Sequence, residues 1–259
     1  MKQDAIALRP SYWANVSGGK DSLLMLKIIL ENPDKYPLNG VVHFELEIDY
    51  PFIRNVIDYM ESECKKHNIP FVRIRPTKKW MDLYQKWGFP NRRKRWCNSH
   101  YKLDAKDQHE QFMRSLGYYV IHYIGYCADE VQRFAVRKNA NVTEVYPLVQ
   151  EQIREDAVLL WARKQPIFNN YYKTNRRCGC MWCPMSDRMN MAYLLKYYPQ
   201  EYEKMIEMMD ATEVMLKEKQ GKPVAIMDGN PKYNARYIDN IIRTKWIKKL
   251  EEKEKEKNG

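Results

Sequence analysis

Six residues, Ser17-Gly18-Gly19-Lys20-Asp21-Ser22, separate a run rich in strand formers, Tyr12 to Val16, from a helix-like run, Leu23 to Leu30. A strand that passes through paired glycines straight into a helix builds an oxyanion-binding turn. The glycines let backbone N–H groups converge on one point, the free amides of the helix N-terminus add positive partial charge, and Ser17 and Ser22 add hydroxyl donors. The ligand such a turn implies is a phosphate. Its spacing excludes the GxxxxGK[ST] of a Walker A loop and the GxGxxG of a dinucleotide fold, so a third nucleotide class is indicated.

Strand-like and helix-like segments alternate beyond the turn. Leu38 to Leu46 reads as a buried strand, and Ile53, Val56, Ile57, Met60 and Cys64 then recur at helical spacing up to His67. Phe71 to Ile74 reads as the next strand, Ser99 to Leu116 as a helix stopped at Gly117, Tyr118 to Tyr126 as a strand, and Glu144 to Leu148 as one more. This order predicts an α/β fold with a Rossmann-like, doubly wound, mostly parallel sheet, whose ligands bind beyond the carboxyl ends of the strands. The turn at 17–22, the segment 125–133 and Cys97 are expected at that edge. Residues 1–160 form the expected nucleotide-binding domain and 161–259 a C-terminal helical, cysteine-containing extension. In the extension, a helix-like run from Glu151 is closed by Pro166, and Pro199 to Lys219 reads as a helix with Tyr202, Met205, Ile206, Met209 and Val214 on its core side. Ile238 to Leu250 suggests a last helix, running into a frayed, solvated end at Glu251 to Lys257.

A hydrophobic content of 44% in 259 residues is enough for a sizeable core. No run approaches the roughly eighteen apolar residues of a membrane span, and Met1-Lys2-Gln3-Asp4 lacks the apolar stretch of a signal peptide. A cytoplasmic location without membrane partners is therefore expected, where six cysteines suit metal ligands, reactive thiols or core positions better than disulfides. The net charge of +11 is uneven: between Arg73 and Lys102 stand ten basic residues against one acid, Asp82. Trp80, Tyr84, Trp87, Phe89, Trp96 and Tyr101 are interleaved with them, the composition of a surface that attracts phosphates and stacks bases. The alternative is a solvated basic face, or arginines paired with carboxylates elsewhere.

Cys180 and Cys183 form a CxxC with Cys178 two residues before, and thiolates at this spacing can turn onto one metal centre, with Cys97 as a fourth ligand. A 4Fe-4S cluster is the preferred reading and structural Zn²⁺ the competitor, since four thiolates serve either. Cys64 lies on an apolar helix face and is read as core. Cys127 is unassigned.

Several further motifs follow the turn in order: Arg95-Trp96-Cys97 with Lys102 five residues on, Gly125 before Asp129-Glu130 and Arg133, Tyr146-Pro147-Leu148, and Cys178-Gly179-Cys180-Met181-Trp182-Cys183-Pro184. The Ser-Gly-Gly-x-Asp-Ser turn resembles the PP-loop of the ATP pyrophosphatase, or adenine nucleotide alpha hydrolase-like, superfamily. The whole series, over roughly residues 10 to 190, resembles the phosphoadenylyl-sulfate (PAPS) reductase family in its broad sense, which includes sulfonucleotide reductases and DNA phosphorothioation enzymes. The resemblance implies an enzyme that binds ATP or an adenylyl sulfate, with Mg²⁺, through Ser17, Gly18, Gly19, Lys20, Asp21, Ser22, Gly125, Asp129, Glu130 and Arg133. Lys20, Asp21, Ser22 and Lys102 are its expected catalytic groups and Cys97, Cys178, Cys180 and Cys183 its metal ligands. Three departures bear on activity. Trp96-Cys97 replaces the adjacent cysteine pair of cluster-bearing relatives, so either Cys178 supplies the missing ligand or one iron site stays open. Glu45-Leu46-Glu47-Ile48-Asp49 replaces a strand end in Asp-Thr-Gly. No cysteine follows Cys183, where sulfite-forming reductases use one. The readings that follow are adenylation-dependent sulfur transfer onto nucleic acid, sulfonucleotide reduction, or a non-catalytic nucleotide- and nucleic-acid-binding subunit. The implied partners are a nucleotide substrate, nucleic acid and a sulfur donor or thiol reductant, with a homodimer as one assembly to expect.

Overall fold

The structure, a computed structural model, describes residues 8–133, 143–221, 226 and 231–258. In chain order its elements are β1 (Arg9–Val16), α1 (Lys20–Glu31), β2 (Gly40–Phe44), α2 (Pro51–Lys66), β3 (Phe71–Ile74), α3 (Trp80–Trp87), α4 (Leu103–Ser115), β4 (Tyr118–Tyr123), β5 (Thr143–Val145) and α5 (Pro147–Gln150). The later helices are α6 (Glu155–Arg163), α7 (Tyr171–Thr174), α8 (Arg188–Tyr197), α9 (Pro199–Gln220), α10 (Ala235–Ile241) and α11 (Ile247–Asn258).

The strands form one sheet in the order β3-β2-β1-β4-β5, and every neighbouring pair is parallel. The α/β expectation holds. Val41 and Val42 of β2 are fully buried, the continuous apolar run of a strand covered on both faces. Trp13, Val42, Met113 and Val120 form a core cluster, with Phe44, Val72, Ile74 and Tyr118 packed around it. At roughly 1.5–3 kcal/mol for each large apolar side chain buried, this layer supplies much of the drive to fold. Because β1 pairs with β2 on one side and β4 on the other, the winding reverses between β1 and β4. The carboxyl ends of those two strands are where such a sheet opens a crevice for ligands.

The chain divides into two compact units: Met1–Leu46, Pro51–Thr77 and Lys102–Asn169 form the first, and Glu47–Tyr50, Lys78–Tyr101 and Asn170–Gly259 the second. All five strands belong to the first. Two upstream segments thus group with the C-terminal helices.

The second unit is organised by aromatic side chains. Trp80 is 1% exposed, and its ring lies 5.0 Å from Trp182, 5.3 Å from Trp96 and 6.0 Å from Phe89 between centroids. Tyr50 packs in the same way against Tyr171, Tyr193 and Tyr198. The aromatics of the basic block therefore divide: Trp80, Phe89, Trp96 and Tyr101 are buried, and only Trp87 is appreciably exposed. The expected base-stacking surface is corrected accordingly, because burying these rings is worth more than leaving them wet.

Four further expectations change. The strand expected over Glu144 to Leu148 ends at Val145, because Pro147 begins α5. The helical run from Glu151 starts instead at Glu155: Gln152 takes a positive φ of 57° that ends α5, and Glu151 accepts hydrogen bonds from Lys35 and Tyr36. On α9 the core side is Tyr202, Met205, Met208, Met209, Thr212 and Glu213, while Val214 is 47% exposed. Glu213 is drawn inward because its carboxylate accepts the backbone N–H groups of Ile226 and Ala235, both at 2.9 Å. Finally, the charged C-terminal stretch is not frayed at Glu254. α11 continues to Asn258, and Glu254 accepts hydrogen bonds from Lys196 Nζ and Tyr197 Oη, each at 2.6 Å.

Candidate anion site and cysteine turn

β1 ends at Val16, and Gly18 then takes φ +73°, a left-handed conformation that favours glycine. A Cβ on Gly18 would lie 2.7 Å from Ile53 Cγ2, so the turn is also sterically reserved for glycine. α1 starts at Lys20 with Gly19 as N-cap, a residue with no side chain to cap the helix start. The serines brace this shape: Ser22 Oγ donates to Gly19 O at 2.9 Å and accepts from Ser17 N at 3.2 Å. The turn after β4 meets the loop from the other side of the switch point. A Cβ on Gly125 would stand 2.9 Å from Asp21 O and 3.1 Å from Ser22 N, so these backbones approach closely only because residue 125 has no side chain.

Charge is concentrated beneath the loop. Lys20 is 1% exposed and its Nζ lies 2.7 Å from Asp21 Oδ1 and 3.8 Å from Glu155 Oε1. Cys127, fully buried, donates its S–H to Asp21 Oδ1 at 3.3 Å, and burial together with the Asp21 carboxylate pushes its pKa far up, so it stays a thiol. Sequence reasoning left Cys127 unassigned and missed Glu155. Asp129 Oδ1 accepts Glu155 N–H at 3.0 Å, tying its turn to the start of α6, and Glu130 Oε2 accepts Cys127 N–H at 3.2 Å within the turn itself. Lys102 is half-buried at the end of a π-helical turn, Cys97–Lys102. The side chain of Arg133 lies outside the described residues. The acidic stretch is structural in part: Glu45 pairs with Arg75 at 2.9 Å, and Glu47 accepts the Trp80 N–H at 3.1 Å, capping α3.

The four candidate ligands Cys97, Cys178, Cys180 and Cys183 all fall in the second unit. Cys180 to Cys183 form a turn closed by Cys183 N–H to Cys180 O at 3.2 Å, and Cys183 Sγ accepts the Met185 N–H at 3.4 Å. The residues between the two cysteines anchor it. Met181 N–H donates to Ile48 O at 2.8 Å, and the buried Trp182 donates Nε1–H to Glu201 O at 3.1 Å beneath Lys204. Cys178 and Cys183 are partly exposed while Cys97 and Cys180 are buried. Among the described residues no three His, Cys, Asp or Glu side chains are gathered to hold a metal. The donors suit a thiophilic metal by type, but their present arrangement is not a ligand set.

Fold and turn together define a doubly wound α/β protein with a glycine turn at its topological switch point. No protein-family model matches the chain. It is 22% identical over 205 residues to an uncharacterized protein of Methanocaldococcus jannaschii, covering 74% of this chain and 46% of that protein. A second uncharacterized protein of the same organism is 25% identical over 206 residues, with coverage of 73% and 39%. The chain thus spans less than half the length of the curated relatives it matches. Among solved structures it is similar to the U34-tRNA thiolase NcsA from Methanococcus maripaludis with its 4Fe-4S cluster, at 15% identity and a TM-score of 0.42 over 93% of this chain and 75% of that one. It is also similar to phosphoadenylyl-sulfate (PAPS) reductase from Candida auris in a phosphate complex, at 8% identity and a TM-score of 0.35 over 62% and 77%. The latter is of the family that the sequence motifs resemble. No helix among the described residues is long and apolar enough to cross a membrane.

Proposed function

We propose that this chain is a PP-loop enzyme of PAPS-reductase-like type that activates an oxygen of a nucleic-acid acceptor with ATP and exchanges it for sulfur. The observation that carries the proposal is the glycine turn on an uncapped helix at the switch point, closed by the backbone approach of Gly125. In the proposed reaction the acceptor oxygen attacks the α-phosphate, the bond to the bridging oxygen of the β-phosphate breaks, and pyrophosphate leaves. Reduced sulfur then attacks the activated carbon, and AMP departs with the original oxygen. Backbone amides of the 17–22 loop and the Ser17 hydroxyl hold the β- and γ-phosphates with Mg²⁺, Ser22 fixes the loop's shape through Gly19 O, and Lys20, paired with Asp21, balances charge on the leaving group. Lys102 and Arg133 serve phosphate groups, and Asp129 or Glu130 the ribose or metal. Cys97, Cys178, Cys180 and Cys183 are the proposed sulfur-handling set, with an iron–sulfur centre preferred over Zn²⁺.

Pyrophosphate release from ATP in the presence of RNA tests the loop. Ser22→Ala and Lys20→Ala are each expected to lower it by more than about 100-fold with the fold intact. Unchanged release in both removes the loop from the reaction. Iron and acid-labile sulfide in anaerobically purified protein, absorbing near ~400 nm and lost in Cys183→Ala, support the thiolate set; zinc alone selects the structural alternative. Thioredoxin-dependent sulfite formation from an adenylyl sulfate makes the protein a sulfonucleotide reductase instead.

A further inference from the structure

Arg92 to Arg95 stand on a loop that is exposed yet pinned. At its root, Phe89 N–H donates to Thr212 Oγ1 at 2.8 Å and Trp96 Nε1–H donates to Gly88 O at 3.0 Å, both aromatic rings being buried. At its tip, Asn91 Oδ1 accepts the N–H groups of Arg93 and Lys94 at 2.9 and 2.8 Å. The side chains of Arg92, Arg93, Lys94 and Arg95 make no ion pair among the described residues, whereas Arg73, Arg75, Arg236 and Arg243 all find carboxylates. Four consecutive cations on a fixed turn repel one another, and that repulsion is relieved when an anion binds.

Beside this loop lies a cavity of about 190 Å³ whose lining includes Arg92, Ser186, Arg188, Ile238 and Trp246. It is smaller than the roughly 300–1,000 Å³ clefts that enclose a whole small molecule, so it suits one unit of a larger one. One wall is cationic and the other apolar, and Lys249 Nζ, 4.8 Å from the Trp246 ring centroid, adds positive charge there. The acid on the lining, Asp187, is the N-cap of α8 and accepts the Asn190 N–H at 2.8 Å. A guanidinium pair beside an indole recognises a phosphate linked to a planar base. A run of adjacent cations extends that recognition to successive phosphates.

We propose that this cavity and the Arg92–Arg95 loop form a binding site for single-stranded nucleic acid. One nucleotide enters with its phosphate on Arg92 and Arg188 and its base against Trp246, while neighbouring phosphates lie along Arg93 to Arg95. The inference deepens the proposed function by locating the acceptor's binding surface, and it rests on that reading for the identity of the acceptor.

The test is fluorescence anisotropy with labelled single-stranded RNA and DNA of about twenty nucleotides, longer than the ~4–16 nucleotides a stacking site covers, across a salt series. Arg92→Glu is expected to weaken binding at least about fivefold and to flatten the salt slope by about one counterion. Trp246→Ala is expected to weaken it about tenfold with the slope unchanged, and Trp246→Phe to retain most of the affinity. Lys27→Ala, an exposed residue of α1, serves as the control, and melting curves verify folding. Preference for RNA assigns a 2′-hydroxyl contact and equal affinity assigns phosphate and base alone; both support the site. Affinity unchanged in Arg92→Glu, a surface substitution that needs no repacking, overturns it whatever happens to the Trp246 variants. Binding is read without ATP, so this pattern with no pyrophosphate release upholds the site while removing the ATP reading, and its absence with release intact overturns the site alone.

Discussion

The sheet-bearing unit and the aromatic unit build their turns from opposite materials. The loop at 17–22 is shaped by backbone: a left-handed glycine, an uncapped helix start, and a second glycine admitted against Asp21. The turn at Cys180–Cys183 is held from outside itself, by the Trp182 indole on Glu201 O with Trp80 behind it and by a backbone bond from Met181 to Ile48. Backbone geometry is local, so such a loop can be read from six letters. A turn held by distant rings is specified only once those rings have come together.

Cutting the ring assembly gives the largest expected effect. Trp80→Ala removes a 1%-exposed indole and is expected to cost about 3–5 kcal/mol in urea unfolding. Trp80 Nε1 has no hydrogen-bond partner among the described residues, so Trp80→Phe, which removes that buried donor, is expected to cost less than about 1.5 kcal/mol. Equal losses in both variants would mean that the indole is not packed as described.

A buried polar group in the sheet unit comes next. His109 on α4 is 3% exposed, its ring sits edge-on to Trp13 at 4.6 Å, and neither ring nitrogen has a partner among the described residues. Burial, reinforced by His122, lowers its pKa from 6.5 to about 4. Between those values the unfolded chain binds the proton that the folded chain refuses. Stability linked to His109 is therefore complete above the ordinary value and falls as the pH drops toward about 4, by about 3 kcal/mol in all. His109→Leu is expected to flatten the acid limb of a urea-midpoint versus pH profile by that amount; an unaltered limb assigns the acid sensitivity to other groups.

Gly125→Ala addresses the backbone loop itself. Its Cβ would press on Asp21 O at 2.9 Å, and a stability loss of about 1–3 kcal/mol is expected together with loss of pyrophosphate release. A variant with wild-type release would separate the turn after β4 from the loop.

These contrasts explain what was legible. Alternating periodicity and the glycine turn announced the parallel sheet, because the strand and helix signals of β1 to β4 are short-range and strong. The interleaving of Arg92–Arg95 with Trp96, Phe89 and Trp80 was visible, but its sense was not: composition cannot say that the rings go in while the cations stay out. The roles of Asp129 and Glu130 were equally opaque, since a carboxylate that accepts a backbone N–H reads like one that waits for a ligand. On α9 the buried stripe was legible at Tyr202, Met205 and Met209 but not in the last turns, where Glu213, a residue that periodicity assigns to solvent, is held inside by two backbone amides from beyond the helix while Val214 is exposed.

The smallest effect probes the end of the helical unit, where charge alternation suggested a solvated tail. Glu254 accepts hydrogen bonds from Lys196 and Tyr197, and the side chains of Lys196 and Glu254 are only 30% and 21% exposed. A half-shielded pair supported by a phenol exceeds the typical exposed ion pair but stays well below a buried one. Glu254→Ala is expected to cost about 1 kcal/mol, and because the Tyr197 donor is uncharged, part of that loss should persist in high salt, where a purely ionic contact is screened. The same contact pushes the Tyr197 phenol up to about 12, chiefly through burial and then through Glu254, so removing the carboxylate is expected to bring its spectrophotometric titration down. A midpoint and a tyrosine titration both unchanged by the substitution would return the last turns of α11 to solvent, leaving the aromatic rings as what orders this unit.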